Sequence, residues 1–363
     1  MSENKKFIDK ILWFVPIKKL RHFLRAIFYN ILDLNELKDI KSELYDLRNE
    51  IRYINKSKNK VLFMKETNYF KDITKGSESA FFLILKLILE KYDINLLYSI
   101  YNPDIELFHA YGSSDKILTS KSKIKIFFTM EAVKRFGDYP IDYTDLCLGF
   151  NYIDSEKYIR LPLWMYANFC ISEINKDNIY KKIIDINNIK FKKTKFASLI
   201  STWGGIGNLR KVIYKRLEKI DKVYCPSAFM HNDDTLKNDF ADDKLEYLKQ
   251  FKFNICPENC IEDGYVTEKL FDAFNAGCVP IWNGYKNLEG DVINKNAVLY
   301  WEENSDNEDI IKEIYNMHKN DDLYDKFVSQ PRFNVDNATD YIYSQIKLLH
   351  EKIEELLCKK FNL

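Results

Sequence analysis

Short apolar runs alternate with amphipathic stretches from about residue 60 onward. Val61–Met64 predicts a first strand, and Ser77–Tyr92 a helix that is apolar on most faces and therefore buried. Ile124–Thr129 and Leu146–Phe150 read as further strands of the fully buried kind. Around residues 171–195 the chain turns polar and rich in Lys, Asn and Asp, which predicts a junction between domains. Phe196–Thr202 opens a second series: a helix over Asn208–Ile220, strands at Lys222–Tyr224 and Phe251–Cys256, and a helix over Glu268–Ala276. Strands at Val279–Trp282 and Ala297–Trp301 and a long amphipathic helix over about Ala338–Lys359 complete it. Strands alternating with helices imply parallel sheets, and two such series imply an α/β protein of two Rossmann-like domains.

The first 58 residues follow a different pattern. Residues 1–25 carry seven Lys and Arg against Glu3 and Asp9, interleaved with Trp13, Phe14, Val15, Phe23 and Leu24. Basic and aromatic residues in this mixture suit a helix lying on an anionic membrane surface, and equally a helix docked on the protein body. Leu37, Ile40, Leu44, Leu47, Ile51 and Ile54 then form a heptad seam. A seam of under three heptads fits a homo-oligomer through residues 37–54 or a helix packed back on its own domain. The organisation read from the pattern is 1–58 helical extension, 59–190 first domain, 191–345 second domain and 346–363 terminal helix.

Composition excludes several classes. Lys+Arg and Asp+Glu balance at 55 and 54, so no basic excess marks a nucleic-acid binder. Seven scattered cysteines without a C-x-x-C pair read as reduced thiols of a cytoplasmic protein, not as a zinc site. No run reaches the about 18–20 apolar residues of a membrane span, and Ile11–Ile17 lacks the flanks of a signal peptide. No Asp-x-Asp occurs, so neither a metal nor another cofactor is required. The expected location is cytoplasmic, with peripheral contact at the inner membrane face as one alternative for the basic segment.

The densest chemistry lies in Phe251–Gly284. A strand leads into a loop bearing Glu258, Asn259, Glu262, Asp263 and Gly264, and a helix follows with Thr267 as N-cap and Gly277 as C-terminal stop. Ligands of open α/β sheets bind at such strand-to-helix ends. Lys269 falls in the first helical turn, where the dipole disfavours a cation by a few tenths of a kcal/mol, roughly. An anionic ligand reverses that sign, because free N–H groups, dipole and lysine then all favour a phosphate. Glu268 beside it can accept hydrogen bonds from ribose hydroxyls. The alternative is that both are ordinary exposed helix residues.

This stretch resembles the signature of glycosyltransferase family 10, the α1,3/α1,4-fucosyltransferases. The matching residues are Pro257-Glu258-Asn259, Gly264-Tyr265-Val266-Thr267-Glu268-Lys269, Asp272-Ala273 and Pro280-Ile281. Two further segments agree in order: Phe127–Glu131 with Leu148–Tyr152 and Tyr158–Pro162, and Phe196–Thr202 with Asn208-Leu-Arg210. The resemblance implies a GT-B fold, two Rossmann-like domains facing a cleft, over about residues 60–345. It implies that Tyr265, Glu268, Lys269 and Asn259 bind a GDP-linked donor, that Arg210 meets the diphosphate, with Lys211 adjacent, and that Glu131 is the catalytic base. Met130 and Ala132 stand where the family has Gly and Asn, and Trp282-Asn283-Gly284 where it commonly has Tyr-Trp-Gly. Those departures bear on the sugar and the acceptor.

The resulting expectation is an inverting transferase moving fucose from GDP-fucose to an oligosaccharide or lipid-linked glycan of a bacterial surface. Another GDP-linked deoxy-sugar or heptose is the alternative donor. A catalytically inactive scaffold acting through the heptad helix is the alternative outside enzymes. A dehydrogenase or epimerase would need a full dinucleotide fingerprint, and Gly204-Gly-Ile-Gly207 lacks its spacing.

Overall fold

The computed structural model describes residues 12, 24, 60–66, 78–112 and 114–363. Apart from two isolated positions, the basic segment and the 37–54 seam lie outside the described residues.

The first sheet is assembled from residues 60–160. Its elements are β1 (Lys60–Lys65), α1 (Ala80–Glu90), β2 (Ile94–Tyr98), β3 (Ile105–Phe108), β4 (Ile124–Phe128), α2 (Val133–Phe136), β5 (Leu146–Gly149) and β6 (Tyr158–Arg160). The strand order is β2-β1-β3-β4-β5-β6, with every pairing parallel. Parallel strands are covered on both faces, and β3, β5 and β6 are buried at every position. Ser79 starts α1 by accepting a hydrogen bond from the Phe82 amide at 3.1 Å. The apolar face of α1, from Phe81 to Leu89, then fills one side of the sheet.

The polar stretch at 171–195 is not an irregular linker. It contains α3 (Lys176–Asn188), whose N-cap Asn175 accepts from the Asn178 amide. Only Ile179, Ile183 and Ile186 of this helix are buried. That narrow stripe is diluted by Lys, Asn and Asp in the linear sequence, which is why composition alone marks a junction but no helix.

The second sheet follows: β7 (Lys195–Ser198), α4 (Leu209–Leu217), β8 (Val223–Tyr224), β9 (Phe251–Ile255), α5 (Glu268–Asn275), β10 (Val279–Trp282) and β11 (Leu299–Tyr300). Its order is β11-β10-β9-β7-β8, again parallel throughout. The chain leaves β7 toward β8 on one side and returns through β9 on the other. The β7/β9 edge is therefore the topological switch point, where a crevice opens at the carboxyl ends of the strands.

The terminal helix α6 (Val335–Phe361) starts earlier than expected, so the proposed 345/346 boundary falls inside it. It crosses back to the first sheet. Ile342, Ile346, Leu349, Ile353 and Leu357 form its buried seam, and Lys91 after α1 pairs with Glu354 at 3.0 Å. His350 Nε2 lies 2.8 Å from the Ile171 carbonyl. One helix from the second half of the chain thus completes the core of the first.

Candidate active site

At the β7/β9 crevice, Arg210, Lys244 and Lys269 line one small pocket with Asn254 and Pro257. Each arrives by a different route. Arg210 sits in the first turn of α4, which follows β7. Lys269 sits in the first turn of α5, which follows β9. Lys244 opens the short helix Lys244–Leu248 just before β9.

The start of α5 is built by a buried carboxylate. Glu258, 5% exposed, accepts from the Thr267 amide and from the Thr267 hydroxyl, both at 2.7 Å. Thr267 caps the helix, and its Oγ1 accepts from Lys269 Nζ at 3.0 Å. Lys269 Nζ also lies 3.4 Å from Glu268 and 3.5 Å from Glu258. Burial works against the Lys269 ammonium, but Glu268 and then Glu258 outweigh it and hold its pKa above the usual lysine value. Burial pushes the Glu258 carboxyl up, and Lys269 offsets only part of that. Burial also raises the Glu268 carboxyl, yet Lys269 and Lys244 prevail and bring it down to about 2. The lysine that looked misplaced is therefore balanced by carboxylates of its own chain, with the pocket on its open side.

Arg210 is 3% exposed. It donates to the carbonyls of Trp203 (3.2 Å) and Pro257 (3.0 Å) and to Asn259 Oδ1 (3.0 Å). Burial lowers its pKa, with Glu258 opposing, but a guanidinium remains charged at any working pH. Asn259 is thus placed to orient Arg210. Tyr265 is buried, and its ring meets Phe150 of the first sheet edge-on at 4.8 Å.

Across the crevice, Glu131 follows the carboxyl end of β4 and is half-buried. Its amide donates to Thr129 Oγ1 at 3.1 Å, which fixes the turn. Its carboxylate accepts from the Tyr111 hydroxyl at 2.5 Å. Tyr111 comes from the loop after β3, and β3 pairs directly with β4 through Phe108 and Phe127. The Tyr111 hydroxyl is pushed up to about 12, first by burial and then by its bond to Glu131, while Arg135 and Lys269 pull it back. Lys269 of the second sheet and the Glu131 carboxylate of the first thus act on the same hydroxyl.

The two halves are laced together beside this point. The Lys134 amide donates to Glu262 Oε2 (3.2 Å) and Lys134 Nζ to the Ile261 carbonyl (2.9 Å). Asn151 Nδ2 donates to Glu262 Oε1 (3.3 Å) and to the Asp263 carbonyl (3.2 Å). Arg160 forms a buried fork on Glu289 at 2.6 and 2.7 Å and also donates to the Gly264 carbonyl at 3.2 Å. Gly264 has φ +75°, and a Cβ there would sit 2.2 Å from the Phe150 carbonyl oxygen. Only glycine lets the two halves approach this closely.

The structure therefore brings Arg210, Asn259, Glu268 and Lys269 to one wall, Glu131 to the facing wall, and Tyr265 to the seam between them. Sequence reading missed Lys244 and Tyr111, and placed Glu258 and Glu262 on the loop without a role. Lys244 and Tyr111 have no linear signal: Tyr111 reaches the site through the β3–β4 pairing, and Lys244 through its ion pair with Asp272 of α5. Glu258 carried one: a carboxylate nine residues before a threonine cap. Among the described residues no cluster of three or more His, Cys, Asp or Glu could hold a metal, and no helix is long and apolar enough to cross a membrane.

Comparison with known proteins bears on both halves. Residues 189–359 match the family model described as glycosyltransferase family 10 (fucosyltransferase) C-term. Residues 68–167 match the alpha-(1,3)-fucosyltransferase FucT N-terminal domain. The chain is 23% identical over 271 residues to the alpha-(1,3)-fucosyltransferase FucT of Helicobacter pylori, covering 67% of this chain and 54% of that one. It is 24% identical over 220 residues to a putative fucosyltransferase of Acanthamoeba polyphaga mimivirus, covering 57% and 34% respectively. It thus spans about half or less of the length of these curated relatives. Among solved structures, an alpha1,3-fucosyltransferase superposes with TM-score 0.55 at 19% identity, over 81% of this chain and 91% of that one. The same kind of enzyme with GDP-fucose superposes with TM-score 0.52 at 20% identity, over 82% and 92%. The fold is accordingly the two-sheet GT-B arrangement.

Proposed function

The chain belongs to glycosyltransferase family 10, and from that premise we propose that it transfers fucose from GDP-fucose to a glycan hydroxyl with inversion at the anomeric carbon. The observation that carries this reading is the convergence of Arg210, Lys244 and Lys269 on one pocket at the β7/β9 switch point, opposite Glu131. Inverting transfer is a single displacement. Glu131 takes the proton of the acceptor hydroxyl as its oxygen bonds to the anomeric carbon, and GDP leaves from the opposite face. Lys269, Arg210 and the N-terminus of α5 stabilise the charge that grows on the departing diphosphate. Glu268 accepts from the ribose hydroxyls. Asn259 holds Arg210 in place, and Tyr265 seats the nucleotide against the seam. These cations supply the leaving-group stabilisation without a metal.

A second donor is favoured by one observation. Trp282-Asn283-Gly284 departs from the family pattern, and Asn283 is buried with its side chain donating to the Trp301 carbonyl at 2.9 Å. A cavity of about 510 Å³ opens beside it, lined also by Tyr285, Tyr300 and Glu302. That volume accepts a hexose or heptose, so another GDP-sugar is the second reading. The acceptor reading is an oligosaccharide or lipid-linked glycan of a bacterial surface, met at the cytoplasmic membrane face. A thermal-shift screen against GDP-, UDP- and CDP-sugars tests the donor. Stabilisation by GDP-sugars, greatest with GDP-fucose, is expected; stabilisation by UDP-sugars alone overturns it.

A further inference from the structure

The described residues include five arginines, and four have oxygen acceptors within the protein. Arg160 grips Glu289, Arg210 the Pro257 carbonyl and Asn259, Arg216 pairs with Glu308, and Arg332 donates to the carbonyls of Ile186, Asn187 and Ile189. Arg135 is the exception: among the described residues no carboxylate or carbonyl accepts from it. Its guanidinium instead lies 5.2 Å from the Phe136 ring centroid and 5.2 Å from that of Trp203. Both rings lie within cation–π range of a guanidinium, a contact that uses none of its N–H groups as donors to oxygen.

This guanidinium is not a loose surface group. Its helix α2 is fixed from the second domain, through Glu262 to the Lys134 amide and Lys134 Nζ to the Ile261 carbonyl. Trp203 is fixed as well, since its amide donates to Ser201 Oγ, which donates back to the Trp203 carbonyl at 2.8 Å. Phe136 packs edge-on against Tyr111 at 4.9 Å, and Tyr111 holds Glu131. The ladder runs unbroken from Glu131 through Tyr111 and Phe136 to Arg135 and Trp203. Arg135 also acts electrostatically on the Tyr111 hydroxyl. An unfilled guanidinium fork therefore stands beside the carboxylate proposed as base, on the first-domain side of the cleft.

We propose that Arg135 forms an oxyanion subsite for the acceptor: it binds a carboxylate or phosphate carried on the acceptor glycan near the reacting hydroxyl. The inference rests on the transferase reading of the Glu131 site. Two N–H groups of Arg135 meet two oxygens of the anion. Arg135 alone of the five described arginines has no oxygen acceptor among the described residues, so it is placed to distinguish charged from neutral acceptors.

The test uses the full chain with GDP-fucose and reads GDP release over matched acceptors: a neutral β-galactoside, its 6-carboxylate and its 6-phosphate. Binding of the same compounds to the GDP-loaded protein is followed in parallel by thermal shift. The native chain is expected to favour a charged member by about tenfold, the lower end for a hydrogen bond to a charged group. R135A should lose that preference while keeping its affinity for GDP, and R135K should recover only part of it. The carboxylate and phosphate arms separate an acidic sugar from a phosphorylated or lipid-diphosphate acceptor. No preference in the native chain in either readout overturns the proposal. Weaker GDP binding by R135A also overturns it, because the guanidinium then belongs to the donor. Failure of GDP to stabilise the native chain would instead strike the transferase reading itself.

Discussion

The wall that bears Lys269 and the wall that bears Glu131 are built on opposite principles. On the second sheet, charges are paired, buried and crowded: Glu258, Thr267, Glu268 and Lys269 satisfy one another within a single helix start. On the first sheet, Glu131 stands half-buried with the Tyr111 hydroxyl on its carboxylate, near a guanidinium that finds no oxygen partner among the described residues. The first arrangement suits a constant ligand such as a nucleoside diphosphate, which rewards a rigid preset site. The second suits a variable ligand, which needs reachable groups. A rigid half and an open half meet at Gly264, where the backbone contact leaves no room for a side chain.

The largest expected break in this comparison is Glu131→Gln. Loss of a general base should lower kcat by about 10²–10⁴-fold. Calorimetric GDP affinity should stay unchanged, because Glu131 makes no hydrogen bond to Arg210, Lys244 or Lys269. Equal losses in both would show the two walls to be one unit.

Lys269→Met comes next, removing a cation from the leaving group. A fall in kcat/KM of about 10²–10³-fold is expected, together with weaker GDP binding by the same calorimetric assay. A fall in kcat with GDP affinity intact would move the lysine's role from binding to the transition state alone.

Glu258→Ala sharpens the comparison through stability. It strips acceptors from the buried Thr267 amide and hydroxyl and a carboxylate from Lys269. Urea denaturation should show a loss of about 2–4 kcal/mol. An equivalent loss is not expected from truncating Glu131, whose partner is exposed.

The smallest effect is on pH dependence. The Glu268 carboxyl is held at about 2 against an ordinary 4.5, where Lys269 and Lys244 outweigh burial. A depressed carboxyl stabilises the fold fully above its unfolded value, and that contribution fades as pH falls from 4.5 toward 2. Glu258, pushed up by burial, works in the opposite direction. Glu268→Gln should therefore flatten the fall of the urea midpoint between those pH values. A midpoint curve identical to that of the native chain would mean that the ion pair is not held in solution.

Legibility followed the same division. The second half of the site was readable because its parts lie within one loop and helix start: Thr267 caps, Lys269 follows, and Gly277 stops the helix at φ +63°. Strands β4, β5, β9 and β10 were readable as apolar runs. The edge strands β2 and β6 were not, since Ile94–Tyr98 and Tyr158–Arg160 are short and mixed with Asn and Arg. Helix α3 was hidden by its charged exposed faces. The long terminal helix was visible as a helix, but nothing in its periodicity says that it packs on the first sheet.

The amino-acid sequence by itself determined the two parallel sheets, the capped helix start that carries Lys269 and the candidate base, because each depends on local propensity and on residues a few positions apart. Only the tertiary structure decided that Glu258 is buried beside Lys269, that Tyr111 reaches Glu131, that Lys244 joins Lys269 and Arg210, and that Arg135 has no oxygen acceptor among the described residues. Those relations depend on strand order and on the closure of one sheet against the other. Both are set by how large apolar surfaces bury against each other across hundreds of residues, a property no short stretch of sequence encodes.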